Sequence, residues 1–247
     1  MNKNYKISII TVTKNSESFL EECILSLDKQ SYRNYEHIII DGCSTDNTIN
    51  LIKKHKNKIA YWISEKDEGL YDAMNKGIKK CSGDIIGILN SDDIYYPQAL
   101  SIVSEYFNLN KKLDFLFGSV NKYKLLHGYN PKKIKWSFGF YTSHSVGFFI
   151  KKKSQLKVGL YNLKYKYSSD YDLFYRMIVH FKLKGMATKK EEILGKFRSG
   201  GISSRLSYIK YLKENTKIRI DNGQNIIFVY LIFLARFLRN FRKVINF

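Results

Sequence analysis

At 247 residues and 44% hydrophobic, the chain is globular and long enough to bury a sizeable core in one large domain or two modest ones. Its formal net charge of +20 suggests a nucleic-acid partner only until the charge is located. Residues 1–110 carry 13 basic and 15 acidic side chains while 111–166 carry 13 and one, so the expectation is no nucleic acid.

Cys23, Cys43 and Cys81 are odd in number and lack metal-ligand spacing, which argues for a reduced, cytoplasmic setting without zinc. The polar start of the chain has no apolar stretch resembling a signal peptide, and the expectation is that it is not exported. An apolar run over 7–12 predicts a first strand, followed by Thr13-Lys14-Asn15-Ser16 and a helix over about 18–29. In that helix Phe19, Leu20, Cys23, Ile24 and Leu27 share a face, and Glu17, Glu21 and Glu22 crowd the positive end of its dipole. Residues 35–40 predict a second strand ending on Asp41. A turn and helix follow, then a short strand over 61–64, a turn, and a helix over 70–80. Strands alternating with helices at this spacing predict a mostly parallel sheet flanked by helices, an α/β fold.

The run Gly83-Asp84-Ile85-Ile86-Gly87-Ile88-Leu89 reads as the central strand, buried on both faces, and it stops on Asn90-Ser91-Asp92-Asp93. Open α/β sheets bind ligands beyond the carboxyl ends of their strands, and paired Asp oxygens there can hold a divalent cation against a phosphate. The same four residues also suit a polar turn before a helix started by Pro97. Beyond it the pattern predicts a helix to about 109, strands over 114–123 and 145–150, and a helix over 169–182. A basic, aromatic loop over 124–142 is expected to be mobile over the site. One domain is expected through about residue 204, with a nucleotide-binding half over 1–95, an acceptor half over 96–204, and a basic tail over 205–247. In the tail an apolar stretch over 226–234 gives way to alternating Arg236, Arg239, Arg242 and Lys243. It is too short to span a bilayer, which needs about 20 apolar residues. It suits a helix lying in the membrane interface, or one packed on the domain or on a second copy in a homodimer.

A parallel sheet would bring Thr11, Thr13 and Asn15, Asp41, and Asp92 and Asp93 to one crevice, each at a strand end. Neither a Gly-x-Gly-x-x-Gly nor a Gly-x-x-x-x-Gly-Lys-Ser/Thr sequence occurs, so phosphate charge must be met by a cation and side chains. Four ordered blocks resemble glycosyltransferase family 2. They are Ile9 to Asn15, Asp41-Gly42-Cys43-Ser44-Thr45-Asp46-Asn47-Thr48, the stretch from Asp67-Glu68-Gly69-Leu70-Tyr71 to Gly77, and Leu89 to Asp93. The resemblance continues through His144, Gly159-Leu160-Tyr161, Ser169-Asp170-Tyr171-Asp172-Leu173 and Gly200-Gly201-Ile202-Ser203, covering roughly residues 5–204.

This resemblance implies a single-domain GT-A-like fold and inverting transfer of a sugar from a nucleotide-diphosphate donor, a UDP-sugar in the first instance, to a saccharide or lipid-linked saccharide. It implies that Asp41 recognises the base beside the Thr11, Thr13 and Asn15 loop, that Asp92 touches the ribose with Ser91 beside it, and that Asp93, with Asp92, holds Mg²⁺ or Mn²⁺. Asp72, Asn75 and Lys76 are implied to pack beside the nucleotide. Asp170 stands in the place of the catalytic base, with Asp172 as competitor and Ser169 where many family members have a second acid. A helix-start aspartate such as Asp170 is also an ordinary first-turn anion. His144, Trp136 and Tyr171 are candidate acceptor contacts, and Arg198 with the Gly200-Gly201 turn a candidate diphosphate clasp. Surface polysaccharide synthesis at the inner face of the cell membrane is the implied setting. A sugar nucleotidyltransferase and a non-enzymatic basic protein binding nucleic acid or membrane are the alternatives. The former lacks its Gly/Arg/Lys-rich phosphate loop here, and the latter leaves the four strand-end and helix-start aspartates without a role.

Overall fold

Every residue of Ile7–Thr13, the first strand β1, is buried, as only a strand covered on both faces can be. The computed structural model describes residues 3–136, 145–198 and 207–241. The elements β2 (Tyr35–Asp41), β3 (Tyr61–Ser64) and β4 (Ile85–Ile88) run parallel to β1 and are connected through α1 (Leu20–Asp28), α2 (Thr48–Lys54) and α3 (Leu70–Lys80). There follow β5 (Ile94–Tyr95), α4 (Ala99–Leu109), β6 (Phe115–Phe117), β7 (Ser119–Asn121) and β8 (Leu125–Leu126). The chain then forms β9 (Phe148–Lys151), α5 (Lys152–Val158), α6 (Ser169–Tyr175), β10 (Gly185–Ala187), β11 (Ile193–Lys196), α7 (Tyr208–Asp221) and α8 (Ile226–Arg239).

The main sheet has the order β10–β6–β9–β4–β1–β2–β3. It is mostly parallel, as expected, with β9 inserted antiparallel between β4 and β6. One apolar layer joins the sheet to α3, α6 and α7, and another joins it to α1 and α4. The expected strand over 114–123 is divided at Gly118. β6 stays in the main sheet and β7 enters a second sheet of order β5–β11–β7–β8. A Cβ on Gly118 would collide with the side chain of Leu194 on β11, so the chain changes sheets at the residue without one.

Two expectations are corrected. The loop over 124–142 is tied down in its described part: Ile134 is buried, and its carbonyl accepts from Tyr171 Oη at 2.7 Å. Residues 137–142 lie outside the described residues. The division at residue 204 is also not a structural boundary for α7. Leu212, Asn215, Ile218 and Arg219 are buried, and Glu214 accepts hydrogen bonds from the backbone N–H groups of Lys166, Tyr167 and Ser168, immediately before α6. Asp221 accepts from Lys164 Nζ and Tyr165 Oη. α7 is therefore part of the domain, and the more loosely attached element is α8, which follows a turn at Gly223 with φ of 75°. Among the described residues no helix is long and apolar enough to cross a membrane.

At the centre of the sheet Gly87 admits the ring of Phe149, which would lie 2.5 Å from an added Cβ. Gly87→Val is expected to destabilise the protein by about 1–3 kcal/mol through overpacking, measured as a shift in the urea midpoint at unchanged m-value.

Candidate active site

Parallel pairing sets Thr13 opposite Asp41 and Asp41 opposite Ser64, and Leu89 N–H bonds Ile10 O on the neighbouring strand. The carboxyl ends of β1, β2 and β4 therefore emerge side by side, and their loops are sewn together by short polar residues. Asn15 holds φ at 49°, a left-handed conformation that asparagine tolerates. Its Oδ1 accepts from Thr45 N–H and its own N–H donates to Ser44 Oγ, both at 2.8 Å. Ser16 Oγ meets Ser91 Oγ at 2.9 Å, joining the β1 loop to the β4 loop.

Asp41 is fully buried. Ser44 N–H (2.9 Å) and Ser64 Oγ (2.6 Å) donate to Oδ2, and Ser44 Oγ donates to Oδ1. The carboxylate thus orders the floor of the crevice instead of projecting into it. Thr11, expected to line the crevice, points into the core, where its hydroxyl shares a 2.9 Å hydrogen bond with buried His37. Thr13, two residues closer to the strand end, has a buried hydroxyl without a hydrogen-bond partner among the described residues.

Beyond β4, Asp92 is half-buried and Asp93 buried. Arg198 N–H donates to Asp93 Oδ1 at 2.9 Å, and Asn90 Nδ2 and Ser145 Oγ approach Oδ2 at 3.3 and 3.5 Å. Burial, then the charge of neighbouring Asp92, pushes the Asp93 carboxyl up to about 8 against these hydrogen bonds. A buried acid forced toward neutrality beside a second carboxyl is an arrangement that a divalent cation relieves. Among the described residues no three His, Cys, Asp or Glu cluster into a protein-only cage. Asp92 and Asp93 are the residues that could hold a divalent cation of the kind one or two carboxylates share with substrate phosphates. Arg198 itself pairs with Glu22 and lies over the Phe19 ring at 4.7 Å.

The third block builds α3. Lys76 Nζ lies 2.8, 3.0 and 3.3 Å from Asp67, Glu65 and Asp72. Burial opposes its charge, but hydrogen bonds to Asp67, Glu65 and Asp72 outweigh burial and hold it above the usual lysine range. Asn75, expected at the nucleotide, is buried and occupied elsewhere: Nδ2 donates to Tyr161 O and Oδ1 accepts from Tyr161 N–H, each at 2.9 Å. The ring of Tyr71 stacks on that of Tyr161 with centroids 5.3 Å apart. Tyr71 Oη donates to Asp170 Oδ1 at 3.1 Å, so the block that borders the donor side touches the expected base directly. Tyr71 has no role assigned by its motif, and its spacing on the buried face of α3 is the one signal in the sequence that it packs inward. Ser145, Asn90 and Ser16 were missed likewise, being short polar residues with no pattern of their own.

The two helix-start acids differ in their surroundings. Asp172 is buried, accepts from Arg176 Nε and from Asn222 Nδ2 at 2.9 Å each, and belongs to the scaffold. Arg176 also donates to the carbonyls of Val158 and Leu160. Asp170 is half-buried, on the opposite side of the first turn. Tyr171 is fully buried against Arg219 and cannot contact an acceptor. Trp136 is 54% exposed, its indole N–H donating to Lys132 O. His144 and the Gly200-Gly201 turn lie outside the described residues.

With that geometry in hand, the comparison with known proteins is informative. Residues 8–163 match the model of glycosyl transferase family 2. The chain belongs to this family. An uncharacterized glycosyltransferase of Mycobacterium tuberculosis is 42% identical over 88 residues, covering 35% of this chain and 34% of that protein. One of Rickettsia typhi is 30% identical over 196 residues, covering 70% of this chain and 58% of that protein. The alignments thus span about a third and somewhat over half of those relatives. A PGL/p-HBAD biosynthesis glycosyltransferase of M. tuberculosis is 24% identical over 86% of each chain. Among solved structures, S. aureus TarS residues 1–349 in complex with UDP superposes with a TM-score of 0.71 at 16% identity, covering 96% of this chain and 73% of that one. The Pyrobaculum calidifontis mannosyltransferase PcManGT, in complex with GDP-Man and Mn²⁺, gives a TM-score of 0.64 at 12% identity, covering 96% and 70%. The fold of this family 2 glycosyltransferase is accordingly GT-A.

Two outcomes are expected. Asp172→Ala strands Arg176 and is expected to cost roughly 3 kcal/mol in chemical denaturation, whereas Asp170→Asn leaves the midpoint within about 0.5 kcal/mol. The raised Asp93 carboxyl favours the folded state fully below its unfolded value of 3.8, and that contribution is lost as pH rises through about 8. In cation-free buffer the midpoint of the wild type is therefore expected to fall relative to Asp93→Asn between about pH 6 and pH 9; parallel pH profiles would show that the carboxyl is not held neutral.

Proposed function

We infer that the protein is an inverting, cation-dependent glycosyltransferase that moves a sugar from a nucleoside-diphosphate donor to the hydroxyl of a saccharide. The observation supporting the reading is that the β1 and β4 loops meet at Ser16 and Ser91, next to Asp92 and Asp93, while Tyr71 of α3 bonds Asp170. In this reading one carboxylate pair serves the donor side and one carboxylate the acceptor side. UDP is the favoured nucleoside diphosphate, because TarS is solved with UDP and with UDP-GlcNAc, although PcManGT holds GDP-Man. A relative named for PGL/p-HBAD biosynthesis is likewise a glycosyltransferase.

In this reading Asp93 and Asp92 would hold Mg²⁺ or Mn²⁺, which supplies positive charge against the departing diphosphate. Asp92 reaches the ribose, and Ser91 and Thr13 line the nucleotide side. Asp41 acts from beneath, fixing the Ser44 loop against which the base rests. Asp72 and Lys76 border the diphosphate from α3. Asp170 accepts the proton of the acceptor hydroxyl as that oxygen attacks the anomeric carbon from the face opposite the leaving group. The bond from carbon to diphosphate oxygen breaks with its electron pair on the nucleotide, and the configuration inverts. Tyr71 positions the base by donating to one carboxylate oxygen.

Purified protein with Mn²⁺, UDP-sugars and candidate acceptors is expected to release UDP. Asp170→Asn is expected to lower kcat by roughly 10²–10⁴-fold with little change in donor KM. Tyr71→Phe, which keeps the ring stack, is expected to lower kcat by about tenfold with donor KM unchanged. Release of pyrophosphate, or product of retained anomeric configuration by NMR, would overturn the reading.

A further inference from the structure

α8 is turned outward. Its Val229, Arg236 and Asn240 face the domain: Val229 is buried, Asn240 Nδ2 donates to Tyr208 Oη, and Arg236 donates to Trp136 O at 3.2 Å. The opposite stripe, Ile227, Tyr230, Leu231, Leu234, Leu238 and Phe241, recurs at helical spacing and is 47–69% exposed. Half-buried Ile232, Phe233 and Phe237 accompany the inward-facing residues, so α8 is apolar on both faces, and the large apolar side chains it presents to solvent are the reverse of the ordinary surface pattern. The surroundings are basic: Arg239 on α8, Lys210, Lys213 and Lys217 on α7, and Lys132, Lys133 and Lys135 beside Trp136 are exposed. The described acids of this hairpin, Glu214 and Asp221, are already bonded to the loop before α6.

We propose that the outward stripe of α8 seats in the interface of an anionic lipid bilayer, with Trp136 and the flanking lysines and arginines at headgroup level. An apolar stripe bordered by cations matches that interface, whereas two copies pairing through α8 would bring their basic borders together. The seat is wired to the site. Arg219 and Gln224 donate to Lys135 O, Tyr171 donates to Ile134 O, and Asp170 precedes Tyr171 in the chain. On the glycosyltransferase reading above, a catalytic domain seated on a bilayer suits an acceptor saccharide carried on a lipid. Trp136, first expected to stack on acceptor sugar, becomes an interfacial anchor.

The test is co-sedimentation of the full chain with phosphatidylcholine vesicles, with and without phosphatidylglycerol. Binding is expected to require the anionic lipid, to weaken as salt rises, and to fall by up to about fivefold for each of Lys213→Gln, Lys217→Gln and Arg239→Gln. Leu231→Glu with Leu234→Glu is expected to abolish it, while UDP with Mn²⁺ raises the melting temperature of this variant as much as that of the wild type. Vesicle binding needs no donor and the UDP shift needs no vesicle, so failure of the membrane seat and failure of the transferase reading are separate results. Equal binding to both vesicle types, persistence of binding in the double variant, or a concentration-dependent dimer that the double variant abolishes would overturn the proposal.

Discussion

The contact on which the rest of the molecule depends is the seam between α3 and the chain that leads into α6. Asn75 grips both backbone groups of Tyr161, Tyr71 stacks on the Tyr161 ring, and the Tyr71 hydroxyl reaches Asp170. Each amide hydrogen bond contributes only about 0.5–1.5 kcal/mol, but the groups are buried, so breaking one leaves an unsatisfied partner at about 1–3 kcal/mol. Tyr71 is buried and its hydroxyl is raised well above its ordinary value, first by desolvation and then by the charge of Asp170, so it remains a donor. α3 comes from the first half of the chain and α6 from the second. Neither half can shift at this seam without disturbing the other, and on the proposed function the seam would set the distance between donor and acceptor chemistry.

Two kinds of carboxylate emerge from this arrangement. Asp41 and Asp172 are buried with their oxygens taken by serine, arginine or asparagine donors, and they shape loops. Asp93 is buried with donors too weak to offset its desolvation and the nearby charge of Asp92. Chemistry at neutral pH calls for the second kind, because an acid already satisfied by the protein has little to offer an ion or a phosphate. The first kind sets where the second can stand.

Strand positions and their parallel direction over the first 95 residues were legible because alternating apolar runs and helical periods leave few topologies for such a chain. Asp41, Asp92, Asp93 and Asp170 were legible as positions because strand ends and helix starts can be read from the same pattern. What each carboxylate touches was not. Thr11 and Thr13 have the same sequence character, yet two residues along β1 separate a hydroxyl bonded to core His37 from one near the crevice. Asn75 and Tyr71 sit one turn apart in one motif, and only tertiary contact separates a backbone clamp from a donor to Asp170. The split at Gly118 and the antiparallel insertion of β9 depend on long-range packing that local periodicity does not carry. α7 was read as tail because its amphipathic pattern is weak; three backbone amides held by Glu214 anchor it instead.

That anchoring bears on how such enzymes can recombine. The natural hinge of the C-terminal hairpin is the turn at Gly223, where the chain takes a left-handed conformation after the last contact of α7 with the α6 loop. Swapping segments between relatives at this turn would exchange only the outward helix and preserve the cradle of the helix carrying Asp170. A junction drawn ahead of Tyr208 would transplant Glu214 as well, and would make each hybrid's turnover hostage to how well one parent's helix fits the other's loop.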